Sequence, residues 1–150
     1  MHRFTRDDLK ARPTNAFAEQ RRVRFQDVDA AGIIFYPRLL EYFHDTYVSF
    51  LSAAGTPLVE VLRSGVWLSP VRHAEAYYFR PLRFGDEVEV ALVRAHVEPT
   101  EVALGYRIAR TGSDEVCAVG QVVHTFLDAV SFRRTDIPDD LLRAYGALQA

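Results

Sequence analysis

The sequence predicts an α+β fold in which one long amphipathic helix is wrapped by a curved antiparallel β-sheet. Three observations carry that expectation. Residues 37–54 repeat their apolar positions with a helical period, the chain after Trp67 turns to long β-type runs, and the gaps between those runs are short and rich in turn residues.

The composition is that of one globular unit. The chain has 150 residues, 49% of them hydrophobic and 25% charged, with a formal net charge of −2. This leaves enough apolar matter for a core and excludes a disordered chain. The near-neutral balance gives no basis for a nucleic-acid partner. Of 18 basic residues only Lys10 is a lysine, so any phosphate would be held by arginine. We expect a single domain over residues 20–150, preceded by a mobile segment over 1–19 whose charges and breakers follow no period.

Each element has its own signal. "RRVRF" (21–25) alternates polar and apolar residues as a strand does. From Pro37 to Ala54, the residues Leu39, Leu40, Phe43, Tyr47, Phe50, Leu51 and Ala54 fall within an arc of about 120° on a helix. Pro37 suits a first helical position, and Gly55 with Thr56-Pro57 supplies the stop. "LVEVLRSG" (58–65) fits a short helix or an ordered loop. "SPVRHAEAYYFR", "DEVEVALVRAHV", "EVALGYRIAR" and "EVCAVGQVVHTFL" then read as a meander of about four antiparallel strands. Their length exceeds the usual strand of about five or six residues, so the sheet is expected to curve around the helix. "DIPDDLLRAYGALQ" reads as a C-terminal helix opened by Pro138 and two acids. The order is that of a hot-dog domain. Its single sheet leaves edges and a face uncovered, so a homodimer or homotetramer is expected.

The single Cys117 excludes an internal disulfide and lies in an apolar run as a buried thiol would. No zinc-ligand spacing occurs, and no metal is expected. The first 20 residues lack the apolar core of a signal peptide, and no stretch reaches the ~18 apolar residues of a membrane span. A cytoplasmic protein with no membrane partner is the expectation.

The chemistry concentrates in "RFQDVDAAGIIFYPRLLEYFHDTY". Two acids and a glycine precede an aliphatic run and the start of the long helix. Free amides at a helix start are suited to a carbonyl oxygen that gains negative charge, and a nearby carboxylate could attack that carbonyl or activate a water. The bland reading of Asp29 is an Asx turn, and that of Asp27 a turn or surface role.

This stretch resembles the signature of the 4-hydroxybenzoyl-CoA thioesterase family of hot-dog proteins: an aromatic residue, D-x-D-x-x-G, an aliphatic-aromatic run and the central helix. "FRPLRFGDEVEV" and "DIPDDLL" extend the resemblance over residues 20–142. It implies an acyl-CoA thioesterase with Asp29 as the catalytic acid. Gly32 would allow close backbone approach, and the amides around Tyr36 would form the oxyanion site. "LLEYFHDTY" and "PVRHAEAYYFRPL" look closer to the 1,4-dihydroxy-2-naphthoyl-CoA thioesterases, which implies His44 as a contact to the substrate ring. His73 is a candidate lining of the acyl pocket or a residue of a sheet face, and Trp67 and Phe35 are candidate aromatic walls. His96 and His124 are expected to be structural. Where the hydroxybenzoyl enzymes carry a basic cluster, this chain has Glu98 and Glu101, leaving Arg94, Arg107, Arg110, Arg133 and Arg134 as candidate contacts for the CoA phosphates. Coenzyme A would be part of the substrate, with no other cofactor. The alternatives are a fatty acyl-CoA or acyl-carrier-protein thioesterase and a non-catalytic acyl-CoA binder.

Overall fold

A computed structural model describes residues 1–148. The long helix α2 spans Arg38–Ala53 and buries Leu39, Tyr42, Phe43, Thr46, Tyr47, Phe50 and Leu51. Pro37, the expected first helical residue, precedes it with helical dihedrals (φ −67°, ψ −20°), one residue outside the observed helix. Five of the seven residues of the expected arc are buried, Tyr42 and Thr46 join them, and Leu40 and Ala54 are half-buried at its border.

Five strands form the sheet: β1 (Phe17–Arg22), β3 (Val71–Tyr78), β4 (Glu87–Glu98), β5 (Glu101–Arg110) and β6 (Val116–Thr125). Their order is β1-β4-β5-β6-β3, and every pairing is antiparallel. A second ladder pairs β2 (Trp67–Leu68) with β7 (Leu127–Asp128). Residues 58–65 resolve as a helix, α3 (Leu58–Ser64), and the tail as α4 (Asp139–Gly146). Register shifts within β4 and β3 and between β5 and β6 bend the long strands, as bulges do. The bent sheet closes on α2, and this is the hot-dog arrangement.

The four long strands do not form the simple meander. β3 pairs with β6 at the sheet edge, and the segment 79–86 carries the chain across to β4. Eight residues reach about 26 Å when extended, ample for three interstrand spacings of about 14 Å in total. Strand β1 also begins earlier than the alternation in "RRVRF" suggests. The Asp27 carboxylate takes the Arg24 N–H (3.0 Å) and draws Phe25–Asp27 into a 3-10 turn, so the chain leaves the sheet before Phe25.

Where a mobile N-terminus was expected, the structure has a helix, α1 (Arg6–Lys10), lying on the outer face of the sheet. Thr5 and Asp8 cap it reciprocally (3.1 and 2.8 Å). Leu9 is buried with Ala91, Val93 and Val119, in space that exists because β5 carries Gly105 at that point. Arg94 and Arg107 donate from the sheet to the carbonyls of Asp8 (2.7 Å) and Lys10 (2.8 Å). Arg6 and Lys10 in turn lie over the rings of Tyr77 and Phe79. One apolar residue with distant partners leaves no periodic trace, and this is why the segment reads as unstructured.

Helix and sheet meet most closely at Gly120. A Cβ there would lie 2.5 Å from the Glu75 backbone oxygen and 2.5 Å from Phe43 Cε2. Phe43 stacks on Tyr106 (4.7 Å, 14°) and has no free direction. Gly120→Ala is therefore expected to cost about 2 kcal/mol by overpacking, lowering Tm by about 6 °C. Thermal denaturation followed by circular dichroism measures it, and an unchanged Tm would contradict this packing.

Candidate active site

The site is built from the loop between β1 and α2. Residues 28–34 form a short hairpin in which Asp29 N–H donates to Ile33 O (3.0 Å) and Phe35 N–H to Asp27 O (2.8 Å). The crossover 79–86 straps it in place: Ile34 N–H donates to Leu82 O (2.8 Å) and Phe84 N–H to Gly32 O (3.3 Å). Gly32 has φ +76°, and a Cβ there would meet nothing within 4 Å. Glycine is thus favoured by the turn's left-handed backbone, and no atom of the chain itself crowds it.

The two acids have separate environments. Asp27 is fully buried and accepts from Arg24 N–H (3.0 Å), Arg24 Nε (3.1 Å), Arg24 Nη2 (3.0 Å) and the Tyr42 hydroxyl (2.6 Å). Burial pushes its carboxyl up, but these hydrogen bonds prevail and hold it at about 2. The same burial and the Asp27 charge push the Tyr42 hydroxyl up. Asp27 is the turn-shaping residue foreseen, though in the interior and not on the surface. Asp29 is exposed, and its Oδ1 accepts the Ala31 N–H (2.8 Å) in an Asx turn. The bland reading of Asp29 is therefore present, and it occupies one oxygen only.

At the helix start Arg38 N–H is bonded to Phe35 O (2.9 Å), Leu39 N–H reaches Tyr36 O (3.4 Å), and Pro37 has no N–H. Among the described residues, the Tyr36 N–H has no acceptor, so the expected group of amides narrows to this one. Its carbonyl accepts from the Tyr78 hydroxyl (2.6 Å), which ties the helix start to the end of the edge strand β3. Phe25, Phe35, Tyr36, Tyr78 and Phe84 lie exposed in this region.

A cavity of about 430 Å³ opens along the flank of α2, between that helix, α3 and the β2–β7 ladder. His44, Tyr47, Trp67, Leu62, His124 and Phe132 are among the residues that line it. Of the expected ring contact and walls, His44 and Trp67 are there and Phe35 is not; Asp29, Gly32 and Tyr36, expected at the reacting carbonyl, also lie outside it. His73 is elsewhere too. The period of two along β3 puts His73, Glu75 and Tyr77 on the outer face with α1, where His73 Nε2 is buried 3.5 Å from Glu75 Oε2. The sequence showed a strand but not which parity faces the helix.

At the cavity mouth the loop after β7 is tied by Asp128, whose Oδ1 accepts from the amides of Val130 (3.0 Å) and Ser131 (2.8 Å). It holds Phe132 at φ 58°, the one non-glycine residue with positive φ among those described. A bulky residue in that region is strained by about 1 kcal/mol or more. Arg133 and Arg134 follow it, exposed and without a side-chain partner among the described residues. The other arginines singled out are occupied: Arg94 and Arg107 on α1, and Arg110 on Asp86 (2.6 Å) and the Pro81 carbonyl (2.9 Å). Glu101 is buried against Arg72 (2.7 Å), so it serves the sheet. Cys117 is buried as expected, and burial raises its thiol pKa. Among the described residues, no three His, Cys, Asp or Glu side chains converge as metal ligands would.

A family profile described as the thioesterase-like superfamily matches residues 23–145. The chain belongs to this superfamily. The thioesterase-like chain is 30% identical to a 1,4-dihydroxy-2-naphthoyl-CoA hydrolase of Thermosynechococcus vestitus, over 86% of this chain and 88% of the relative. A 1,4-dihydroxy-2-naphthoyl-CoA thioesterase from Synechocystis shares the fold, with a TM-score of 0.83 at 24% identity, over 87% of this chain and 96% of that one. A gentisyl-coenzyme A thioesterase superposes with a TM-score of 0.75 at 26% identity, covering 85% and 98%. The hot-dog fold expected from the order of the elements and the thioesterase family expected from the signature at 24–47 are thus those of this thioesterase-like chain.

Proposed function

We propose that the chain hydrolyses an aromatic acyl-CoA to the free acid and CoA, with 1,4-dihydroxy-2-naphthoyl-CoA the foremost substrate. The observation that carries this reading is the cavity beside α2. Its size lies within the range of small-molecule sites, and Trp67, Tyr47 and Phe132 in its otherwise mainly aliphatic lining offer faces for a flat ring. The relatives' names point to the same class of substrate.

The chemistry follows from the loop. Negative charge that develops on the thioester oxygen would be met by the Tyr36 N–H at the start of α2. The second oxygen of Asp29 would take a proton from water as the water oxygen bonds to the carbonyl carbon. Alternatively, it would bond to that carbon itself, giving an anhydride that water then cleaves. In either route the carbon–sulfur bond breaks with its electron pair on sulfur; the CoA thiolate takes its proton from the protonated Asp29 in the first route and from water in the second. Arg133 and Arg134, at the mouth, are the arginines left free to meet the CoA phosphates.

Asp29 and the cavity do not share lining residues within one protomer. The exposed aromatic residues near Asp29 and the open edge of β3 support a second copy that continues the sheet, as a homodimer or within a homotetramer. An acyl carrier protein remains the alternative acyl donor. No described helix is long and apolar enough to cross a membrane, and a cytoplasmic location is the reading that the lone buried Cys117 favours.

Free-thiol release across dihydroxynaphthoyl-, hydroxybenzoyl-, benzoyl-, short-chain and long-chain CoA tests the proposal. A preference in kcat/KM for an aryl thioester supports it. A preference for long aliphatic thioesters overturns the aromatic assignment, and CoA affinity without turnover would leave a binder.

A further inference from the structure

His124 ends the inner face of β6, in register with Val102 of the core, and only 4% of its surface is exposed. Its ring packs on Tyr47 (centroids 4.7 Å apart) and lines the cavity beside α2. Its Nδ1 lies 3.0 Å from the Ser69 carbonyl oxygen. A carbonyl only accepts, so this hydrogen bond assigns the proton to Nδ1 and leaves Nε2 as a lone-pair acceptor in the neutral ring. Burial lowers the pKa of His124, the Ser69 carbonyl opposes that, and His44 lowers it further, so the ring is neutral near pH 7.

The other polar groups of the cavity are otherwise engaged or sit at its rim. The Tyr47 hydroxyl is bonded to that of Tyr145 (2.6 Å), and His44 is exposed on α2. Among the described residues, Nε2 of His124 has no hydrogen-bond partner. The apolar cavity therefore carries at His124 an acceptor of fixed tautomer open to a donor.

We infer that His124 Nε2 accepts a hydrogen bond from a hydroxyl group on the acyl ring, so that the cavity selects hydroxylated aromatic acyl groups over their unhydroxylated counterparts. The inference rests on the cavity's being the acyl site. A phenolic hydroxyl is a good donor, whereas an unsubstituted ring would strip water from Nε2 and return nothing. Discrimination of about 10- to 100-fold follows for one such group. His124 is thus a specificity-determining residue and not the structural histidine that its place in an apolar run suggests.

The test is calorimetric binding of two free acids, 1,4-dihydroxy-2-naphthoate and 2-naphthoate, which needs no turnover. The wild type is expected to prefer the dihydroxy acid by at least about 10-fold. In His124→Phe that ratio collapses towards one. In His124→Gln, which keeps an amide donor for Ser69 and an oxygen acceptor, part of it returns. A wild type with equal affinities, or with none for either acid, overturns the inference whether or not the Phe variant folds; so does a ratio unchanged in a folded Phe variant. Thiol release is scored separately. Turnover of aryl-CoA without a hydroxyl preference removes the role of His124 and leaves the thioesterase, while a hydroxyl preference in binding without aryl-CoA turnover keeps His124 and removes the proposed reaction.

Discussion

Asp29→Asn is expected to lower kcat/KM for an aryl-CoA by about 10³-fold, within the range for removal of a catalytic base or nucleophile. The substitution is informative because of the Asx turn. Asparagine retains an oxygen to accept the Ala31 N–H (2.8 Å), so the loop keeps its shape while the charge and basicity disappear. Asp29→Ala would remove both and could not separate them. Tm should stay within about 1 °C of the wild type, because the side chain is exposed and its one hydrogen bond is preserved. A folded Asp29→Asn variant with wild-type turnover would show that Asp29 merely shapes the turn.

A large effect on stability is expected two residues earlier. Asp27→Ala strips the acceptor from the Tyr42 hydroxyl (2.6 Å) and from three Arg24 donors. Tyr42 is fully buried and would be left with an unsatisfied hydroxyl. A loss of about 2 kcal/mol follows from leaving that buried hydroxyl without its acceptor, Arg24 being exposed and open to water, lowering Tm by about 6 °C. The effect depends on pH. The folded carboxyl titrates at about 2 against an ordinary value of 3.8, so its contribution is complete above that ordinary value and is lost as the pH falls towards 2. The Tm gap between wild type and Asp27→Asn should therefore be constant from pH 7 to 5 and narrow below pH 4. A gap that widens on acidification would contradict the network.

Much of this was legible in the residues, and what was not has a common cause. The helix and the long strands announce themselves because periods of about 3.6 and 2 are local properties. The Asp29–Gly32–Tyr36 stretch was legible as a motif, and the structure adds that, at the start of α2, the Tyr36 amide is the one without an acceptor among the described residues. What escaped depends on distant partners: the β3–β6 pairing, the outward parity of His73, the burial of Asp27 under Tyr42, and the role of His124. His124 in particular sits in "VVHTF", where an apolar neighbourhood signals burial. Only the Ser69 carbonyl, 55 residues away in sequence, shows that one ring nitrogen is occupied and the other available.

The strap formed by α1 also has a temporal meaning. Arg94 and Arg107, which hold it to the sheet, lie 86 and 97 residues beyond Asp8 and Lys10, and Gln121, which holds Phe4 just before it, lies 117 residues on. A chain emerging from the ribosome makes α1 first yet cannot dock it until β6 has been synthesised. The hairpins β4–β5 and β5–β6 can close locally well before that. Residues 6–10 are thus made before the sheet strands they rest on and find their place after them, and Leu9 acts as the latch on a sheet already assembled.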